Sequence, residues 1–141
     1  MKIKSICKKN NRKLYISNNL RLALKLNLDG LYIPSFNKTL KYKNLNTKKK
    51  FKMIGSAHSI KEIKIKEKQG VEFIFLSPLF KNNKKNTFLN PIKFNLLAHK
   101  TDKAVIALGG ITSKNLNKLK MIKTNGFAGI SYFKNNDSIK P

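Results

Sequence analysis

Ala104-Val105-Ile106-Ala107-Leu108-Gly109-Gly110-Ile111-Thr112-Ser113 is a short apolar run that breaks into paired glycines and then into two hydroxyl residues. Val105, Ile106 and Leu108 suit a strand buried on both faces, as in parallel sheets covered by helices. Gly109 and Gly110 open backbone conformations closed to other residues, and Thr112 or Ser113 can cap a following helix. The segment therefore reads as a strand turning straight into a helix, and free N–H groups at such a helix start form a ready site for phosphate. Paired glycines are also the ordinary way to make a tight turn, and on these residues alone the turn reading stands first.

The same unit recurs outward from this stretch. Three joints, Leu28-Asp29-Gly30-Leu31, Gln69-Gly70-Val71-Glu72-Phe73 and Asn125-Gly126-Phe127-Ala128-Gly129, each link an amphipathic segment through glycine to a short apolar run. Strands are expected at Leu14–Ile16, Leu31–Ile33, Met53–Ser56, Phe73–Leu76, Ala104–Leu108 and Phe127–Ser131. Leu20, Leu22, Leu24, Leu26 and Leu28 alternate as in a strand, but leucine, alanine, lysine and arginine are helix formers. The segment is assigned as a helix capped by Asn18 or Asn19, with Gly30 as its stop. Ser59 and Glu62 form a capping box at the start of a helix running to Gln69. Asn90 caps a helix with Pro91 in its first turn, carrying Phe94, Leu97 and Ala98 inward. A further helix carries Leu116, Leu119 and Ile122. Ile3, Ile6 and Cys7 have helical spacing near the N-terminus, residues 35–50 read as a loop, and a polar tail follows Ser131. Such alternation predicts a parallel sheet with helices outside it, either an open doubly wound sheet or a β/α barrel. In both, ligands sit at the carboxyl ends of the strands.

A chain of 141 residues supports one domain, residues 1–141, with one core. Its formal charge of +25 comes from 31 basic against 6 acidic residues. That balance raises nucleic acid as an alternative partner and a basic nucleic-acid-binding protein as the alternative function. Only Arg12 and Arg21 are arginine, however, the residue preferred for bidentate phosphate and guanine contacts. The lysines are spread along the chain among many asparagines, which argues for compositional drift. Cys7 is the single cysteine, so no internal disulfide forms and a reducing compartment is expected. No apolar run approaches membrane-spanning length, no zinc pattern is present, and a cytoplasmic location is expected.

Taken together and in order, Gly55-Ser56-Ala57-His58-Ser59, Phe75-Leu76-Ser77-Pro78-Leu79-Phe80 and Ala107-Leu108-Gly109-Gly110-Ile111 resemble the thiamine-phosphate synthase and TenI family. The resemblance runs from about residue 14 to 131 and leaves 132–141 as a tail. It implies an α/β fold, a (β/α)8 TIM barrel, here incomplete and lacking its first two strand-helix units. Synthase members join a pyrimidine pyrophosphate to a thiazole phosphate with magnesium on the leaving pyrophosphate, giving thiamine phosphate; TenI members aromatise the thiazole phosphate by moving a proton. By position, Gly109 and Gly110 would hold the thiazole phosphate through backbone N–H groups. Ser56 and Lys85 would meet a phosphate or pyrophosphate, and Ser131 joins that set. His58 matches a histidine that acts as acid and base in the tautomerase branch, a role suited to imidazole.

Several positions depart from the family pattern. The two acidic metal positions fall on Asn18 and Asn37, although Mg2+ favours carboxylates, so no metal ligands are assigned. The pyrophosphate-gripping glutamine, arginine and lysine cluster would lie in the missing first quarter, and the threonine-rich loop is replaced by Lys81–Lys85. The resemblance implies a thiamine-phosphate synthase or TenI-like protein of thiamine biosynthesis that binds thiazole phosphate and, if complete, condenses it with the pyrimidine pyrophosphate; the residues retained here lean toward the alternatives, tautomerase chemistry or a non-catalytic relative. The expected partner is a small phosphate substrate, and the open barrel edges invite self-association.

Overall fold

Each strand pairs in parallel with the next strand in the chain. The computed structural model describes residues 2–42, 50–81 and 87–135. Its elements are α1 (Lys2–Lys9), β1 (Tyr15–Ser17), α2 (Leu20–Lys25), β2 (Gly30–Ile33), β3 (Lys52–Ala57), α3 (Ile60–Lys68), β4 (Phe73–Leu76), α4 (Asn90–Ala98), β5 (Ala104–Leu108), a 3-10 helix (Ser113–Met121), β6 (Gly126–Ala128) and α5 (Ile130–Asn135). The six strands form one sheet in the order β1-β2-β3-β4-β5-β6. A doubly wound sheet reverses its strand order at a switch point. This order never reverses, which is the winding of a β/α barrel.

The register shows where the core lies. Ile33 sits beside Gly55, Gly55 beside Ile74, and Ile74 beside Val105. Because side chains alternate along a strand, Leu31, Ile33, Ala57, Ile74, Leu76, Val105 and Ala107 share one face. All are buried, and they pack with Ile63 of α3 and with Phe94 and Ala98 of α4. The other face carries Tyr32, Ile54, Ser56, Phe75 and Ile106, with Tyr32 and Phe75 edge to face at 6.0 Å. The helix-covered face is thus the dry one. The opposite face is only partly covered: Tyr32, Phe75 and Ile106 are half-buried.

Helix ends explain part of the asparagine content. Asn11, Asn18, Asn27 and Asn90 all have positive φ, between 47° and 57°, a region that asparagine tolerates better than other residues with a Cβ. At the end of α2, the Leu28 N–H donates to the Ala23 carbonyl and the Asn27 N–H to that of Leu24. This is a Schellman closure with asparagine where glycine is usual. The ends of α1 at Asn11 and of α3 at Gly70 repeat it. Asn19 caps α2, its side chain accepting from the Leu22 N–H at 3.0 Å, and Asn90 accepts from the Lys93 N–H at 3.0 Å.

The structure corrects two expectations and adds detail at two further elements. Gly30 does not stop α2, which ends at Lys25; it opens β2, where a Cβ would lie 2.0 Å from the Lys52 carbonyl oxygen and 2.6 Å from the Tyr15 ring. The helix after the glycine pair is 3-10, not α, so its chain is wound more tightly. The last strand stops at Ala128; Ser131 falls in the first turn of α5 and the expected tail begins as helix. The apolar side chains of α1 are not core, Ile3 and Ile6 being exposed; among its contacts, Lys4 donates to the Leu26 carbonyl at 2.8 Å, beyond the last turn of α2.

The place of Gly30 between two strands sets a prediction. Gly30→Ala forces backbone, not a flexible side chain, to move, and its expected cost is about 1–3 kcal/mol or more, read as a lower denaturant midpoint at unchanged m-value. Gly126→Ala, whose Cβ would meet only the Ile106 side chain at 3.6 Å, is the matched control and is expected to cost less.

Candidate functional site

The carboxyl ends of β3, β4, β5 and β6 bring most of the predicted site residues onto one rim. His58 follows β3, and its Nδ1 lies 2.6 Å from the Ser77 carbonyl oxygen at the end of β4. A carbonyl only accepts, so Nδ1 carries the hydrogen. In the neutral ring Nε2 then holds the lone pair, the form a general base needs. The Ser77 hydroxyl stands 3.3 Å from the same nitrogen. The orienting group is therefore a backbone carbonyl, which sequence alone does not display. Glu62 acts beside it, accepting the His58 backbone N–H at 2.6 Å, while the Ser59 hydroxyl accepts from the Glu62 N–H at 3.3 Å. The expected capping box is present with one partner changed: the carboxylate reaches His58 and not the N–H of Ser59.

From Ser77 the rim continues to the glycine pair. Gly109 and Gly110 have φ of 94° and 70°. A Cβ on Gly109 would lie 2.9 Å from Pro78 Cβ, and one on Gly110 would lie 2.5 Å from the Phe80 carbonyl oxygen and 2.6 Å from that of Lys81. The space glycine leaves is filled by the loop after β4, so turn geometry and packing account for both residues fully. The Phe80 N–H donates to the Gly109 carbonyl at 3.1 Å. Asn115 then closes the turn, its Nδ2 donating to the Gly110 carbonyl at 2.7 Å and its Oδ1 accepting the Thr112 N–H at 2.9 Å. One N–H expected to be open at this helix start is thus already occupied.

Gly129 packs against Ile111, its virtual Cβ 3.7 Å from Ile111 Cβ, which sets the start of α5 and exposed Ser131 beside the glycine turn. A cavity of about 510 Å³ opens here, lined by Leu108, Ala128, Gly129, Ile130, Phe133 and Lys134. It is apolar apart from one ammonium. A second cavity of about 470 Å³, lined by Asn27, Leu28, Asp29, Lys50 and Phe51 among others, lies at the amino ends of β2 and β3, away from the rim. Ser56 is buried, 5% exposed, and lies on the partly covered sheet face two residues before His58. Lys85 lies outside the described residues.

The remaining corner of the rim, after β1 and β2, joins Asn18 to Asn37 by a side-chain hydrogen bond, with Asn37 Nδ2 donating to Asn18 Oδ1. Behind them stands Lys66, fully buried. Its ammonium donates to the carbonyls of Pro34 at 2.7 Å and Asn37 at 2.8 Å and to Gln69 Oε1 at 2.8 Å. Gln69, also fully buried, donates to the carbonyls of Asn37 and Thr39. Gly55 belongs to this arrangement, because a Cβ there would come 2.7 Å from Lys66 Cδ; the glycine admits the lysine stem. Sequence reasoning missed both residues. The signal was their spacing, since Ile63, Lys66 and Gln69 repeat every three positions on one face of α3.

Two measurements test this geometry. Gly110→Ala is expected to destabilise the chain by about 1–3 kcal/mol with no ligand present, because the obstruction is the chain's own backbone. Burial pushes the Lys66 ammonium down from 10.5 to about 8, against the opposing pull of Glu62. The unfolded chain keeps the ordinary value and holds the extra proton between pH 8 and 10.5, so this group makes the fold more stable as pH rises through that window. The Lys66 ¹³Cε resonance should titrate with a midpoint near 8; a midpoint at 10.5 would show that burial has no such effect.

Comparison with known proteins bears on the family and the fold. Residues 1–133 match the family model described as thiamine monophosphate synthase. A protein of Aquifex aeolicus named putative thiamine-phosphate synthase 2 is 34% identical over 136 residues, covering 93% of this chain and 71% of its own length. A thiamine-phosphate synthase of Prochlorococcus marinus (strain SARG) is 32% identical over 128 residues, covering 84% of this chain and 35% of its own. Among solved structures, thiamine phosphate pyrophosphorylase from Pyrococcus furiosus superposes with a TM-score of 0.73 at 15% identity, over 91% of this chain and 61% of that one. The chain thus spans about a third to about seven tenths of these relatives, and the last likeness is one of fold. With the family model matched over nearly all of its length, this chain belongs to the thiamine monophosphate synthase family.

Proposed function

We propose that this chain serves thiamine biosynthesis by binding thiazole phosphate at the carboxyl rim, and that His58 moves a proton on the bound ring. The observation that carries the reading is the tether of His58 Nδ1 to the Ser77 carbonyl, which fixes the tautomer and aims a basic Nε2 away from the anchoring group. A base that takes a proton from one carbon, and whose conjugate acid returns it at another, shifts a double bond with no net change in atoms. In this reading the turn at Gly109 and Gly110 holds the phosphate through backbone N–H groups, with Ser131 joining it, while Ser56 and Lys85 keep the role that the family resemblance gives them, meeting a phosphate or pyrophosphate. Condensation with the pyrimidine pyrophosphate, the reaction in the relatives' names, is the second reading. It calls for magnesium, and Asn18 and Asn37 do not fit that ion, so no step is assigned to it. A cytoplasmic location, and self-association through the free edges of β1 and β6, complete the proposal.

Two experiments decide it. Calorimetry with thiazole phosphate should give saturable heat that depends little on salt. No heat with that ligand, together with salt-steep binding of random duplex DNA, would replace this reading with that of a basic nucleic-acid binder. His58→Ala is expected to slow exchange of the ring proton with solvent deuterium by about 10²–10⁴-fold while leaving thiazole phosphate affinity nearly intact. Full exchange in that variant removes His58 from the chemistry.

A further inference from the structure

The corner formed by the ends of β1 and β2 has an electrostatic character opposite to a cation site. Asn37 is held in one amide orientation: its Oδ1 accepts the Thr39 N–H at 2.9 Å, so Nδ2 faces Asn18 and donates to Asn18 Oδ1. Turning the amide over would set an NH2 group against the Thr39 N–H, two donors facing each other. A cation between the two residues would need both oxygens, and one of them is committed elsewhere. The backbone of Asn37 is also engaged, its carbonyl accepting from Lys66 Nζ and Gln69 Nε2. A buried ammonium is thus bonded directly to the backbone of this corner.

Among the described residues the carboxylates lie elsewhere. Asp29, Glu72 and Asp102 stand just before β2, β4 and β5, at the end of the sheet opposite the rim. Glu67 pairs with Lys64 on α3, and Glu62 is bound to the His58 N–H. Among the described residues no three His, Cys, Asp or Glu side chains gather. A hard dication needs anionic oxygens to offset its lost hydration; two amides, one facing it with hydrogens, do not supply them.

We infer that the β1–β2 corner is built to work without a divalent cation, the Asn18–Asn37 amide pair closing on itself and the Lys66 ammonium supplying the fixed positive charge behind it. The pair links the end of β1 to the loop after β2, and Lys66 with Gln69 holds that loop from the helix side. Gly55 is part of the device, because it lets the lysine stem reach the loop.

The test is a titration of the whole chain with Mn2+, followed by paramagnetic broadening of asparagine side-chain signals. Those of Asn18 and Asn37 are expected to broaden no more than that of Asn11. Selective, saturable broadening at Asn18 and Asn37 overturns the inference. The double substitution Asn18→Asp and Asn37→Asp restores two carboxylates and is expected to bind Mn2+ about tenfold or more tighter than the unsubstituted chain. Affinity of the unsubstituted chain within about twofold of that variant also overturns it. Should the variant not fold, the broadening in the unsubstituted chain decides by itself. Neither readout involves thiazole phosphate, so the outcome is independent of the proposed activity.

Discussion

A buried ammonium with no carboxylate bonded to it has to find oxygens for its three hydrogens, and Lys66 finds them in Pro34, Asn37 and Gln69. The carbonyls concerned would themselves be costly to leave unpaired. The need is mutual, and it ties α3 to the loop after β2. From there the constraint spreads: Gly55 must lack a side chain, Gln69 must turn inward, and Asn37 must present its amide to Asn18. Much of the polar order on this half of the rim follows from one charge placed where helices normally bury an aliphatic residue.

The other half of the rim is ordered by backbone. Gly109 and Gly110 leave room for Pro78, Phe80 and Lys81, and the Ser77 carbonyl holds His58. A glycine pair in such a place invites a ligand explanation, yet packing alone demands it. Here the shape of the turn is a property of the fold, and any phosphate it holds uses a shape that already exists.

The strands were legible because Val105-Ile106-Ala107-Leu108 and Phe73-Ile74-Phe75-Leu76 are apolar runs bounded by glycine or proline, and three repeated joints revealed their alternation with helices. The choice between two α/β windings was not legible, since it depends on spatial order. Helix propensity correctly outweighed the alternating leucines of residues 20–28. The role of Gly30 was misjudged because a glycine before a strand looks the same whether it ends a helix or yields to a neighbouring carbonyl. Of the candidate site, His58 and the glycine pair were visible as motif positions. The Ser77 carbonyl, the inward turn of Lys66 and the pairing of Asn18 with Asn37 were not, for each depends on contacts between segments far apart in sequence. Lysine abundance hid Lys66 further, one buried ammonium among many solvated ones.

The strict succession of strand partners has a consequence for how the fold assembles. Each register joins neighbouring units, from Tyr15 with Gly30 at the closest to Phe73 with Ala104 at the widest. No pairing waits for the two ends of the chain to meet, so loop-closure entropy stays small for a parallel sheet. The core is likewise assembled locally, between each helix and the strands next to it. Energetically the molecule resembles a one-dimensional array with nearest-neighbour coupling, in which an end unit adds or removes one interface and leaves the interior cohesion of the others in place.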